Sequence, residues 1–125
     1  MSDTLNYLQP REQMAVNDYV NRLHFNLGDN LMGLWLFGSK SRGDFDSDSD
    51  IDLLVVLKIL QPATRWRIRE IAARCSLEHD VLFNTHILDQ ARWEEEVHCQ
   101  STLWREIQRD GVSLPLMQTA DAPDR

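Results

Sequence analysis

Asp50 and Asp52 stand one residue apart at the head of an apolar run that continues to Leu57. On an extended strand, residues two apart point to the same face, so the two carboxylates lie side by side while Ile51 turns into the core. Carboxylates held that close repel each other unless a cation sits between them. Magnesium suits the position, because it takes hard oxygen ligands, keeps several waters and is completed by substrate phosphates. Asp80, read as the first residue of a later strand, supplies a third carboxylate if that strand lies beside the Asp50–Asp52 strand.

Upstream lies Gly38-Ser39-Lys40-Ser41-Arg42-Gly43. A glycine at a strand exit lets the backbone turn sharply and lets a phosphate approach where a Cβ would otherwise stand. Ser39 offers a hydroxyl and a backbone N–H where a helix is expected to begin, and free N–H groups at a helix start bind anions. Lys40 and Arg42 add positive charge for a triphosphate, and Gly43 lets the chain leave the turn. A phosphate-holding turn joined to a metal-holding strand suits nucleotidyl transfer, in which the attacking hydroxyl, the α-phosphorus and the leaving pyrophosphate lie in line. Two metal ions can stabilise the attacking and leaving oxygens of such a displacement. In that chemistry Asp50 and Asp52 bind both metals and the nucleotide phosphates. Asp80 binds the catalytic metal and helps deprotonate the acceptor hydroxyl.

Several elements must position these groups. Val16, Tyr19, Val20, Leu23 and Leu27 mark one helical face over residues 12–27. After the Gly28-Asp29-Asn30 break, residues 31–37 are a compact apolar run, short enough for a strand buried on both faces. Residues 51–57 form a second such strand. Ile68, Ile71, Ala72 and Cys75 mark a second helix over 63–78, with Arg65, Arg67, Arg69 and Arg74 around its outside, and residues 80–88 read as a third strand. Trp93, Val97, Leu103, Trp104 and Ile107 suit either one helix over 90–110 or two with a break near Cys99, with Gly111 as the stop. The expected fold is α/β, a small mixed sheet covered by helices. Residues 1–116 are expected to form one domain, followed by a frayed tail over 117–125.

With 125 residues there is room for one small domain, so recognition of a large substrate is expected to need help from elsewhere. No apolar run approaches the roughly 20 residues of a membrane span, and the N-terminus lacks the pattern of a signal peptide, which makes a cytoplasmic protein the expectation. The formal net charge of −7 argues against direct nucleic-acid binding, for which clustered Lys and Arg are needed. Cys75 and Cys99 lack metal-ligand spacing and are read as reduced. The alternation of Asp44, Asp46, Asp48, Asp50 and Asp52 invites a calcium-loop reading, but the EF-hand glycine and terminal glutamate are missing. His24, His79, His86 and His98 show no paired ligand spacing and are assigned structural or surface roles. Trp35 is assigned to the core. Trp66, Trp93 and Trp104 suit either the core or a partner surface.

Gly38-Ser39, ten residues, then Asp50-Ile51-Asp52 resembles the signature of the DNA polymerase β-type nucleotidyltransferase superfamily. Ser39-Lys40-Ser41-Arg42-Gly43 is similar to the Arg-Gly turn of its minimal members, the MNT domains. Asp80 in His79-Asp80-Val81-Leu82 matches the place of the family's third carboxylate, and residues 107–112 resemble the end of MNT antitoxins. The resemblance covers the chain to about Leu116. It implies the polymerase β-type nucleotidyltransferase fold, ATP as substrate and two magnesium ions as cofactor. It further implies a HEPN-domain ribonuclease toxin as partner, silenced when AMP is transferred to one of its tyrosines. Two other functions remain open: an antitoxin that neutralises by binding alone, and a transferase acting on a small molecule such as an aminoglycoside. The short chain speaks against the second, and the intact aspartate pair speaks against the first.

Overall fold

The computed structural model describes residues 8–38 and 50–114. Helix α1 (Pro10–Leu27) opens with proline in its first turn, and the carboxylate of Glu12 accepts the Gln9 N–H at 2.9 Å. That contact explains why this acidic side chain is buried. A short 3₁₀ turn (Gly28–Asn30) leads into β1 (Leu31–Phe37), and β2 follows at Ile51–Leu57. Helix α2 (Pro62–His79), β3 (Phe83–Asp89), α3 (Gln90–His98), α4 (Thr102–Asp110) and the two-residue β4 (Val112–Ser113) complete the described chain.

The strands form one sheet in the order β3-β2-β1-β4. β1 is antiparallel to both β2 and β4, whereas β2 and β3 run parallel. The parallel pair needs a crossover, and α2 provides it. Alternation along the strands builds two cores. Leu34 and Leu36 of β1, with Ile51, Leu53, Val55 and Leu57 of β2, pack under α1 and α2 against Ala15, Val16, Tyr19, Leu23, Ile68 and Cys75. Trp35, Phe37, Leu54 and Val56 face the other way, onto Trp93, Leu103 and Ile107 of α3 and α4. Because β1 and β2 are covered on both faces, their sequences read as unbroken apolar runs. The expected mixed α/β sheet covered by helices is thus the fold.

Four details differ from the expectations or resolve them. The segment 90–110 is two helices, broken where Gln100 takes a positive φ of 51°; Ser101 starts the second helix by accepting the Trp104 N–H at 3.1 Å. Asp80 does not open a strand. It caps α2 in the left-handed conformation (φ 56°, ψ 51°), with its N–H bonded to the Ser76 carbonyl, and β3 begins three residues later. Aspartate tolerates that conformation better than most residues, which lets a helix end here without glycine. Val97 is exposed rather than core-facing. Both cysteines are free, Cys75 buried and Cys99 exposed. The tail expected over 117–125 lies outside the described residues.

On the helical face made by α1 and α2, Arg22 donates to Asp18 at 2.9 Å and to Glu78 at 2.6 Å, while His79 Nε2 lies 2.8 Å from the other oxygen of Asp18. Burial pushes the Asp18 carboxyl up, but the hydrogen bonds from His79 and Arg22 outweigh it and hold the group below its ordinary value. A depressed carboxyl contributes stability above its unfolded value that is lost as pH falls through its folded value. Asp18→Ala is therefore expected to cost about 1 kcal/mol near neutral pH, the partly exposed setting keeping the effect small. Urea unfolding at neutral and acidic pH checks this, because the gap between parent and variant should close in acid.

Candidate active site

β1 ends where Gly38 takes a φ of +82°, a conformation that side chains rarely adopt. Opposite it stands Asp52, paired in register with Phe37. A Cβ built on Gly38 would overlap Asp52 Oδ2, so glycine is required here by space as well as by backbone angle. Asp52 shares its face of β2 with Leu54 and Val56, the face covered by α3 and α4. It lies at the strand end, half-buried, with Asp50 exposed just before it and Ile51 fully buried between them.

Burial raises the Asp52 carboxyl above its ordinary value. The Asn84 hydrogen bond and the nearby His86 lower it in part, and the like charge of Asp50 raises it further. Two oxygen-bearing acids at a solvent-open strand end, one carrying a desolvation cost as an anion, form a donor set that a hard divalent cation fits. Beside them on β3, the parallel register sets Asn84 against Asp52, and Asn84 Nδ2 donates to Asp52 Oδ1 at 2.9 Å. His86, two residues further along β3, has its ring centroid 5.4 Å from that of Phe37.

The site expected from sequence is thus brought together in part. Gly38, Asp50 and Asp52 meet at one end of the sheet. Asp80 ends α2 at that same end, and the Ile51 N–H donates to the Leu82 carbonyl at 2.9 Å, holding the segment after Asp80 alongside the start of β2. Asp50, Asp52 and Asp80 do not converge to within 4.8 Å of one another. Ser39, Lys40, Arg42 and Gly43, expected to bind nucleotide, lie outside the described residues. Asn84 carries no signal in the sequence, and His86, assigned there a structural or surface role, is not placed beside Asp52 by it, since the proximity of both depends on a register set more than thirty residues away. Once β3 is placed, the period-two rule finds both.

Among the described residues, the set of three acidic or histidine groups that does converge within 4.8 Å is Asp18, Glu78 and His79. It lies on the α1–α2 side, across the sheet from the Asp52 side chain, and the Arg22 guanidinium already bridges its two carboxylates. Its positive charge is in place, and the cluster is an interhelix ion network rather than a metal centre. No described helix is long and apolar enough to cross a membrane.

Comparison with known proteins adds the family. The chain is 41% identical over 59 residues to a Methanocaldococcus jannaschii protein named "Putative protein adenylyltransferase MJ0141", and 40% identical over 45 residues to a second protein of that organism named in the same way. These matches span 60% and 45% of the relatives' lengths, and 46% and 36% of this chain. In a solved toxin–antitoxin complex with AMP-PNP, a chain 27% identical superposes with a TM-score of 0.51, covering 82% of this protein and 75% of that chain. A chain of the complex between the tri-AMPylated Shewanella oneidensis HEPN toxin and an MNT antitoxin gives 26% identity and a TM-score of 0.50, covering 88% and 76%. The model of the nucleotidyltransferase domain matches residues 19–101, which takes in the second half of α1, the β1–β2 pair with its aspartates, α2, β3 and α3. The protein therefore belongs to the nucleotidyltransferase domain family.

Proposed function

We propose that this protein transfers AMP from ATP to a tyrosine of a HEPN-type ribonuclease partner, silencing it, and thus acts as an antitoxin. The observation that carries the reading is the pair Asp50 and Asp52 at the head of β2, with Gly38 leaving room for the Asp52 carboxylate. The names of the curated relatives and the AMPylated partner in a similar solved complex support a protein acceptor of the HEPN toxin kind.

In this reading Asp50 and Asp52 would hold two magnesium ions, and Asp80, at the end of α2, would serve as the third carboxylate. Magnesium held there would supply charge neutralisation of the phosphates and activation of the α-phosphorus for in-line attack. Gly38 and Ser39 admit the triphosphate at the strand exit, with Lys40 and Arg42 balancing its charge. Asp80 accepts the acceptor hydroxyl's proton as the new P–O bond forms and pyrophosphate departs. Of the four tryptophans, Trp66 is 74% exposed on α2, whereas Trp35 and Trp93 pack together with ring centroids 5.8 Å apart. Trp66 is the ring free to meet a partner.

The test is to incubate the complex of the chain and its partner with ATP labelled at either the α- or the γ-phosphate. Label from the α-phosphate should pass to the partner, and label from the γ-phosphate should not. Asp80→Asn separates chemistry from capping, because asparagine keeps the left-handed cap. Transfer is expected to fall at least tenfold with the melting temperature unchanged. Label appearing on an added aminoglycoside instead of the partner would replace this reading with small-molecule transfer.

A further inference from the structure

Asp52 has two carboxylate oxygens, and the structure treats them differently. Oδ1 accepts a hydrogen bond from Asn84 Nδ2 at 2.9 Å. Oδ2 lies against Gly38, so close that even a methyl group there would overlap it. Asn84 stands directly across from Asp52 in the parallel β2–β3 register, so strand geometry brings their side chains to the same face. Only the amide nitrogen of Asn84 can serve as donor to a carboxylate, which fixes the orientation of the amide.

We infer that Asn84 is a positioning residue for Asp52: it ties up Oδ1, stops the carboxylate from rotating and leaves Oδ2, on the Gly38 side, as the atom that binds the divalent metal. This rests on the proposed role of Asp50 and Asp52 as metal ligands and adds to it how one of them is aimed. A carboxylate with both oxygens free can swing between one- and two-oxygen coordination. One with an oxygen already engaged presents a single, directed ligand, and partners of ligands commonly decide affinity in this way.

The choice of an amide over an acid follows from charge. Asn84 is exposed while Asp52 is half-buried with Asp50 beside it. A third carboxylate at position 84 would crowd negative charge around Asp52 in the metal-free protein, whereas the amide supplies a donor and no charge. Positioning costs no repulsion in the absence of metal.

The experiment compares the full chain with Asn84→Ala, Asn84→Asp and Asp52→Ala. It uses Mn2+ as probe, titrated calorimetrically, alongside melting temperature with and without Mn2+ and the kinetics of transfer. Because Asn84 is exposed, its alanine variant should fold and melt as the parent does. Its Mn2+ dissociation constant should rise, and its kcat fall, by roughly tenfold to a hundredfold, with KM for ATP little changed. Asn84→Asp should melt lower than the parent without metal and gain more from added Mn2+, a response that a merely structural residue would not give. If Asn84→Ala binds Mn2+ as tightly as the parent while Asp52→Ala does not bind it, the positioning role of Asn84 is overturned and the metal site stands. If Asp52→Ala also binds Mn2+ unchanged, the metal-site reading itself falls, and the inference with it.

Discussion

Asp52→Asn is expected to produce a protein that is more stable than the parent without metal, yet slower in nucleotidyl transfer by about three orders of magnitude or more. The stability gain follows from the carboxyl's raised value, which comes first from burial and then from the neighbouring charge of Asp50. A carboxyl whose folded value lies above its unfolded value favours folding when protonated, and that contribution is lost as pH rises through the folded value. At neutral pH the ionised Asp52 is therefore a liability in the metal-free protein. An asparagine of the same shape removes the charge and can still accept the Asn84 hydrogen bond. Melting curves in EDTA should show the variant above the parent, with the gap closing as pH drops into the ordinary carboxylate range. Added magnesium should raise the parent's melting temperature and leave the variant's unmoved. A variant that melts below the parent in EDTA, or that keeps transfer within tenfold, would contradict the role given to Asp52.

Gly38→Ala is expected to impair both folding and chemistry. The backbone at φ +82° disfavours any side chain by about 1–2 kcal/mol. The added methyl would also push against Asp52 Oδ2 and come within 3.2 Å of its Cγ. Displacing a metal-binding carboxylate by about 1 Å can cost a hundredfold in rate, so transfer should fall at least that far. Gly28→Ala is the control. Gly28 has a positive φ of 54° but nothing within 4 Å of the space a Cβ would fill, so its alanine variant should lose stability alone. If both variants lose activity equally, backbone strain explains the effect and the contact with Asp52 does not.

Much of this site can be read along the chain, and the reason is local. The runs at Leu31–Phe37 and Ile51–Leu57 announce strands covered on both faces, and period-two alternation alone places Asp50 and Asp52 together with Ile51 inside. Gly38 at a strand exit is readable for the same reason. What escapes is whatever depends on pairing between distant segments. Asn84 is an unremarked polar residue until the β2–β3 register sets it against Asp52. Asp80 illustrates a different difficulty: aspartate suits both a strand entrance and a left-handed helix cap, and the sequence around it does not distinguish them. Two-residue β4 is too short to carry a periodic pattern, and it is held by pairing with Trp35 and Leu36.

The most direct test of the central claim is intact-mass spectrometry of the co-purified partner after incubation with ATP and magnesium, run with the native chain and with one carrying Asp50→Ala and Asp52→Ala. The partner should gain one or more AMP units with the native chain and none with the double variant. A tight complex whose partner gains no mass would contradict catalysis and leave neutralisation by binding alone.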